Sequence, residues 1–340
     1  MELPSTLRKL YHYAKSFSLF RDDDESEIIQ FCVGYEGISG GSEAIAMIAN
    51  LLAEFHVVYF DVGPFSNFNY WLSPRIKRGV AAVTKTKLII CDRAAALQSV
   101  NESIPLICSV HGFNHTAHKI DSSIANRNIN VASVVHFVSE FQRSDFLNEY
   151  RNCAVIPNYT NRIALSSNTR DNIADIGLVG MMTNENKNIK RMLGVLSNLT
   201  TNSSVIWGTI PQDTVLTSKI KFKGFSTDKQ EIFGSFKTFL SLSKEETFGV
   251  AVIQALSCGI PCVLSNIPAH RQHKDCIGVF LVDENNLEEC LDAINNALEM
   301  AESNTKRNNI IQYWEKRFSK DIVAQQWNHL IQKLEQNVGK

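Results

Sequence analysis

Residues 245–262, EETFGVAVIQALSCGIPC, open on two carboxylates, Glu245 and Glu246, and carry one amide, Gln254, within an otherwise apolar run. Gly259 suits the left-handed residue after a helix end, and Pro261 stops a helix from continuing, so residues 250–256 read as a short helix. The CVLS run at 262–265 is short and apolar, the pattern of a strand buried on both faces. The loop KEETFG therefore lies just before a helix N-terminus, where backbone N–H groups lack intrahelical partners and the dipole draws anions. The chemistry on offer is anion binding with a carboxylate beside it. A second candidate is the Gly-rich stretch 36–41, EGISGG, between an apolar strand and a helix. It is not GxGxxG and lacks the Gly-Lys-Ser/Thr of a P-loop, so it reads as a phosphate-type turn without a nucleotide fingerprint.

These residues need a scaffold. Residues 28–61 read as strand (28–34), loop (36–41), helix (42–54) and strand (56–61), a βαβ unit. Further strands are expected at 87–92, 105–112, 134–139 and 154–158. The polar, aperiodic stretch TNRIALSSNTRDNIAD, 160–175, suits a linker. A second alternating series follows, with strands at 176–180, 204–208, 219–224, 238–243 and 261–265. The helical runs NIKRMLGVLSNL, KQEIFGSF and VAVIQALS lie between them, and FSKDIVAQQWNHLIQKLEQ reads as one final helix. The expected fold is α/β, two doubly wound Rossmann-like domains facing a cleft. Its expected parts are an amphipathic helix and acidic turn (1–25), an N-terminal domain (26–165), a C-terminal domain (170–315) and a final helix (316–340) packing back on the N-terminal domain. Within 1–25, Leu3, Leu7, Leu10, Tyr11, Ala14, Phe17 and Phe20 form one apolar stripe. The stripe has two readings, a helix docked on its own chain or one lying on an anionic membrane surface.

Composition narrows the function classes. The 340 residues are 44% hydrophobic and 20% charged, with a net charge of −1, so bulk electrostatics do not draw the chain to nucleic acid. The eight Cys form no CxxC pair and read as reduced core residues rather than a zinc site. No stretch reads as a secretory leader or reaches the length of a membrane span, so a cytoplasmic chain is expected.

The segments ETFGVAVIQALSCGIP, VGMMTNENKNIKRML, SVHG, VSEFQRSDFL, VIPNYTN and ISGGSE resemble the family 4 retaining glycosyltransferases of the GT-B fold, the glycosyl transferases group 1. The resemblance runs from about Ile28 to the final helix. It implies a hexosyltransferase that takes a nucleotide-sugar donor, UDP- ahead of GDP-, to a saccharide or lipid-linked saccharide acceptor in envelope polysaccharide synthesis. It implies no cofactor and no metal. Catalytic roles fall on Glu246, which would meet the sugar hydroxyls, and on His111, at the end of the SVHG strand. Donor-binding roles fall on Gly40, Gly41, Lys187, Thr247, Phe248, Gly249, Val250 and Gln254. Lys187 would supply the cation for the diphosphate. The family commonly places a basic residue after the strand glycine, where this chain has Met181, unless Lys190 or Arg191 reaches in. The family's E-x7-E pattern brackets the donor, and here the second position is Gln254. Eight helical residues span ~12 Å, about the distance from sugar to ribose across a diphosphate. An amide can still pair with ribose hydroxyls, through uncharged bonds. Gln254 facing solvent is the plain alternative. Two other functions share the fold: a glycosyltransferase-like binding or scaffold protein with little turnover, and a sugar-nucleotide epimerase. The aromatic-rich loop GPFSNFNYWLSP, 63–74, is a candidate acceptor surface.

Overall fold

Among the described residues thirteen short runs form strands; the central ones, rich in Val, Ile, Phe and Cys, are buried on both faces, as parallel sheets flanked by helices require, while the edge runs at 77–78 and 220–224 are largely open. In this computed structural model the described residues are 27–338 except 35–36, 38, 64, 98–102, 114–121, 147–151, 166–172 and 200. The expected N-terminal amphipathic helix lies outside them.

The chain divides into two compact units. Unit 1 comprises 1–138, 143–156 and 326–340, and unit 2 comprises 139–142 and 157–325. Unit 1 holds strands β1 (Ile28–Cys32), β2 (Val57–Asp61), β3 (Lys77–Arg78), β4 (Thr86–Asp92), β5 (Leu106–Val110), β6 (Val134–Phe137) and β7 (Cys153–Val155). They pair in parallel in the order β3-β2-β1-β4-β5-β6-β7. Unit 2 holds β8 (Ala174–Met181), β9 (Ser204–Thr209), β10 (Ile220–Gly224), β11 (Phe236–Ser241), β12 (Cys262–Ser265) and β13 (Val279–Val282), parallel in the order β10-β9-β8-β11-β12-β13. In each sheet the order reverses once, between β1 and β4 and between β8 and β11. Doubly wound sheets bind ligands outside the carboxyl ends of the strands at such a reversal.

The cores follow the strands. In unit 1 Phe31 and Phe60 stack at 5.4 Å, and Phe68 closes on Phe60 at 5.0 Å. In unit 2 Ile176, Leu178, Ile206, Leu240 and Val263 form the centre of an apolar cluster. Helix Val250–Ser257 has the bounds its apolar run predicts, within a residue. Several elements went unread in the sequence. β3 is only two residues long, too short for a periodic signal. β13 and helices Leu287–Ala301 and Asn304–Phe318 fill the stretch before the final helix. The Leu287–Ala301 helix carries a legible start, since the Asn286 side chain accepts from Glu289 N–H at 3.2 Å and Glu288 and Glu289 occupy the first turn. The final helix spans Lys320–Val338 and buries Val323, Trp327 and Ile331. Its residue Glu335 pairs with Lys87 at 2.8 Å within unit 1. Among the described residues no helix is long and apolar enough to cross a membrane.

Candidate functional site

The unit 2 site is built where β8 and β11 end, at the reversal of the sheet. After β8 a short turn, Glu185–Lys187, leads through left-handed Asn188 (φ 56°) into helix Ile189–Ser197. This turn is tied to the loop after β11. Lys244 N–H donates to the Asn186 carbonyl at 2.8 Å, Asn188 Nδ2 to the Leu242 carbonyl at 3.0 Å, and Asn186 Nδ2 to Glu245 Oε2 at 3.1 Å. These bonds place Lys187 against Glu246, and the two form an ion pair. Ser243 Oγ donates to the same Glu246 oxygen at 3.0 Å. Burial alone would raise the Glu246 carboxyl, but the charge and hydrogen bond of Lys187, with the Ser243 hydroxyl, carry it below its ordinary value. The carboxylate is thus ionised and oriented.

Beside it, the helix Val250–Ser257 begins on Gly249, whose backbone is left-handed (φ 87°, ψ 63°), and no side chain caps that end. A Cβ at 249 would also lie 3.2 Å from Val252 Cγ2, so glycine is required here. An uncapped N-terminus next to a cation is suited to an anion. Thr247 is half-buried, and its carbonyl accepts from Ser139 Oγ at 3.0 Å. The Phe248 side chain is not at a ligand surface. It is 1% exposed and packs edge-on against Phe318, so its contribution to this loop is an anchor.

Beneath the loop, His270 is fully buried. Its Nδ1 donates to the Ser265 carbonyl at 2.9 Å, and Ser265 Oγ donates to the Ser243 carbonyl at 2.5 Å. Burial lowers the His270 pKa, against the pull of Glu246, so the ring is neutral. Ser243, His270 and Asn186 were not singled out in the sequence. A lone His in PAHR and a Ser after a strand carry no spacing signal.

Two alternatives left open by the sequence fall away. Gln254 does not face solvent. It is 3% exposed, because its helix is apolar around the whole circumference and buried accordingly. Arg191 does not reach toward Lys187, since its Nε donates to the Glu284 carbonyl. Lys190 is exposed, and Met181 is 37% exposed at the strand end.

The unit 1 site lies at the ends of β1, β4 and β5. Asp92, ending β4, accepts the Gly34 N–H at 3.0 and 3.1 Å, which pins the turn after β1. Helix Gly40–Leu52 is capped by Ser39, which accepts from Ser42 N–H at 3.1 Å. Gly41 lies against His111, so closely that a Cβ there would sit 3.3 Å from the His111 Cβ. The structure therefore brings His111 and the Gly40-Gly41 turn together. His111 Nε2 lies 2.9 Å from Ser109 Oγ, which lies 2.8 Å from His136 Nδ1, and His136 Nε2 lies 2.9 Å from the Ile156 carbonyl. Burial, with His136 alongside, lowers the His111 pKa to about 3. Burial lowers that of His136 to about 4, with the Ile156 bond opposing. Both rings are neutral at physiological pH. In the loop 63–74, Phe68 enters the core, while Phe65 and Tyr70 are 91% and 61% exposed.

With this geometry in place, comparison with known proteins assigns the fold. Residues 174–300, most of unit 2, match the family model described as glycosyl transferases group 1. That stretch is a group 1 glycosyltransferase domain, a transferase domain, in agreement with the resemblance read from the sequence. The two sheets match solved GT-B glycosyltransferases over most of the chain. HepE of Anabaena, solved in complex with UDP-glucose, aligns over 90% of this chain and 99% of its own, with 17% identity and a TM-score of 0.73. Sucrose-phosphate synthase of Thermosynechococcus elongatus aligns over 91% and 99%, with 15% identity and a TM-score of 0.70. A glycosyltransferase of Rickettsia africae aligns over 91% and 98%, with 15% identity and a TM-score of 0.68. No curated protein matches the chain in sequence.

Proposed function

We propose that the chain transfers a sugar from a UDP-sugar to a saccharide acceptor, with retention at the anomeric carbon. The observation that carries the proposal is the Lys187–Glu246–Ser243 cluster beside the uncapped helix end at Gly249, within the group 1 domain. UDP is favoured as the nucleotide because HepE, of like fold, was solved with UDP-glucose.

In this reading the N–H groups at the start of helix Val250–Ser257 and the Lys187 ammonium take the diphosphate, so its charge is met by the chain rather than by a metal. Lys187 exchanges part of its pairing with Glu246 for the phosphate oxygens. Glu246, kept ionised, accepts hydrogen bonds from hydroxyls of the donor sugar, and within unit 1 neutral His111 is an acceptor for a sugar hydroxyl. Gln254 pairs with the ribose, for which its covering neighbours must shift, since it is 3% exposed. The bond between the anomeric carbon and the leaving phosphate oxygen breaks. The acceptor hydroxyl attacks on the same face and passes its proton to that phosphate oxygen. The protein stabilises the departing UDP and holds the acceptor in place. A lipid-linked saccharide of an envelope polysaccharide, met at a membrane surface, is the acceptor the family resemblance favours.

The test is a thermal-shift comparison of UDP, GDP and ADP, followed by incubation with UDP-glucose and UDP-N-acetylglucosamine. A ligand bound only by the folded state raises the melting temperature. UDP is expected to give the largest rise, with slow release of UDP from one of the sugars and a retained anomeric configuration by NMR. No rise with any nucleotide would overturn the proposal.

A further inference from the structure

We propose that Ser109 and His136 are positioning residues that lock His111 in the tautomer carrying its proton on Nε2, so that Nδ1 presents the acceptor lone pair to a sugar hydroxyl. The clause on the sugar rests on the glycosyl-transfer reading, whereas the lock itself follows from the chain of hydrogen bonds.

The chain has one fixed end. The Ile156 carbonyl can only accept, so His136 Nε2, at 2.9 Å, must be the donor. A neutral imidazole has one N–H, so His136 Nδ1 is an acceptor and takes the Ser109 hydroxyl proton at 2.8 Å. That hydroxyl has no second proton. At 2.9 Å from His111 Nε2 it can only accept, which puts the His111 proton on Nε2. The reverse direction would require His136 to be protonated on both nitrogens, and His136 is 1% exposed with no carboxylate partner among the described residues. Ser109 is likewise 1% exposed, so no water competes for its hydroxyl. Trp327, fully buried, stands edge-on to His136 at 4.7 Å and fixes the plane of that ring. All five residues, Ser109, His111, His136, Ile156 and Trp327, belong to unit 1. The arrangement matches the logic by which the second nitrogen of a working histidine is oriented from behind.

The experiment is side-chain 1H–15N NMR of the 15N-labelled full chain at pH 7, joined to kinetics. In the wild type both His111 and His136 should show the neutral pattern with the proton on Nε2. In Ser109→Ala, His111 should become a tautomer mixture while His136 is unchanged. Transfer should fall about 10- to 100-fold in kcat with the KM for the donor unchanged, the range for losing an orienting partner. Ser109→Thr, which keeps the hydroxyl, should restore both the spectrum and kcat. A wild-type His111 with its proton on Nδ1, or an unaltered tautomer in Ser109→Ala, would overturn the lock, and the wild-type spectrum decides even where a variant does not fold. A confirmed lock with normal kcat in Ser109→Ala would overturn its bearing on transfer. A confirmed lock with no transfer by the wild type would instead remove the glycosyl-transfer reading and leave the tautomer assignment standing.

Discussion

The unit 1 and unit 2 sites use burial to opposite ends. In unit 1 burial holds His111 and His136 neutral, and their hydrogen bonds set which nitrogen accepts. Around Glu246 burial also opposes charge, but Lys187 and Ser243 outweigh it and the carboxylate stays ionised. A partner therefore decides whether a shielded titratable group becomes a neutral acceptor or a fixed charge. The first kind of site suits hydroxyls, and the second suits a ligand that brings both hydroxyls and negative charge.

The sharpest way to break this contrast is Glu246→Gln, which makes the unit 2 site as uncharged as the unit 1 site and leaves Lys187 without its partner. Transfer is expected to fall by about 10²–10³, as for loss of a preorganised electrostatic group, while UDP affinity is held or improved by the released ammonium. Turnover assays paired with calorimetry on UDP check both halves, and normal turnover would remove Glu246 from the chemistry.

Next in size is the pH dependence of stability. The folded-state pKa values of His111, His136 and His273 are lowered to about 3, about 4 and about 3, from 6.5 in the unfolded chain. Between those values the unfolded chain binds more protons than the folded one, so stability is complete above about 6.5 and is lost as pH falls toward 4 and then 3. Glu246 adds a loss only in a lower window, below its ordinary 4.5. Urea unfolding at pH 7.5, 6.5, 6 and 5.5 should show the midpoint already falling above the range in which carboxylates titrate. A flat midpoint from 7.5 to 5.5 would contradict neutral buried imidazoles.

Lys187→Ala should weaken UDP by about 1.5–3 kcal/mol, the worth of a charge-assisted bond, and uridine by much less. Equal losses in calorimetry would place Lys187 away from the phosphates. Gly249→Ala forces a left-handed backbone on a residue with a Cβ, which costs about 1–2 kcal/mol, and it crowds Val252 at the helix end. The variant should unfold at lower urea and bind UDP more weakly, whereas Gly194→Ala, with open space at its Cβ, should do neither.

The smallest effect is expected of Gln254→Glu. A carboxylate accepts from ribose hydroxyls better than an amide by about 1 kcal/mol, but here it would be introduced at a side chain that is 3% exposed. The gain and the burial penalty should leave UDP affinity nearly unchanged and lower stability. Met181→Arg combined with Gln254→Glu should recover affinity non-additively, since both act on one ligand through neighbouring charges. Strict additivity in the double-mutant cycle would place Gln254 outside the donor site.

Much of this protein was legible in the chain alone. The short apolar runs and the Gly-Pro stop after residue 258 predicted the strands and the helix Val250–Ser257, because burial on both faces and helix termination are local demands. The ETFG loop announced an uncapped helix start beside a carboxylate for the same reason. Tertiary structure alone decided the rest. Nothing local makes Lys187 the partner of Glu246, 59 residues away, or sets Gly41 against His111, 70 residues on, since strand order at the two sheet reversals brings them together. Gln254 is an amide in any sequence reading, but only the all-round packing of its helix shows that it is buried. Ser109, His136 and His270 have ordinary types at ordinary spacings. Their roles come from which hydrogen-bond partner folding leaves within 3 Å of a ring nitrogen, and that is a property of three-dimensional neighbours rather than of spacing along the chain.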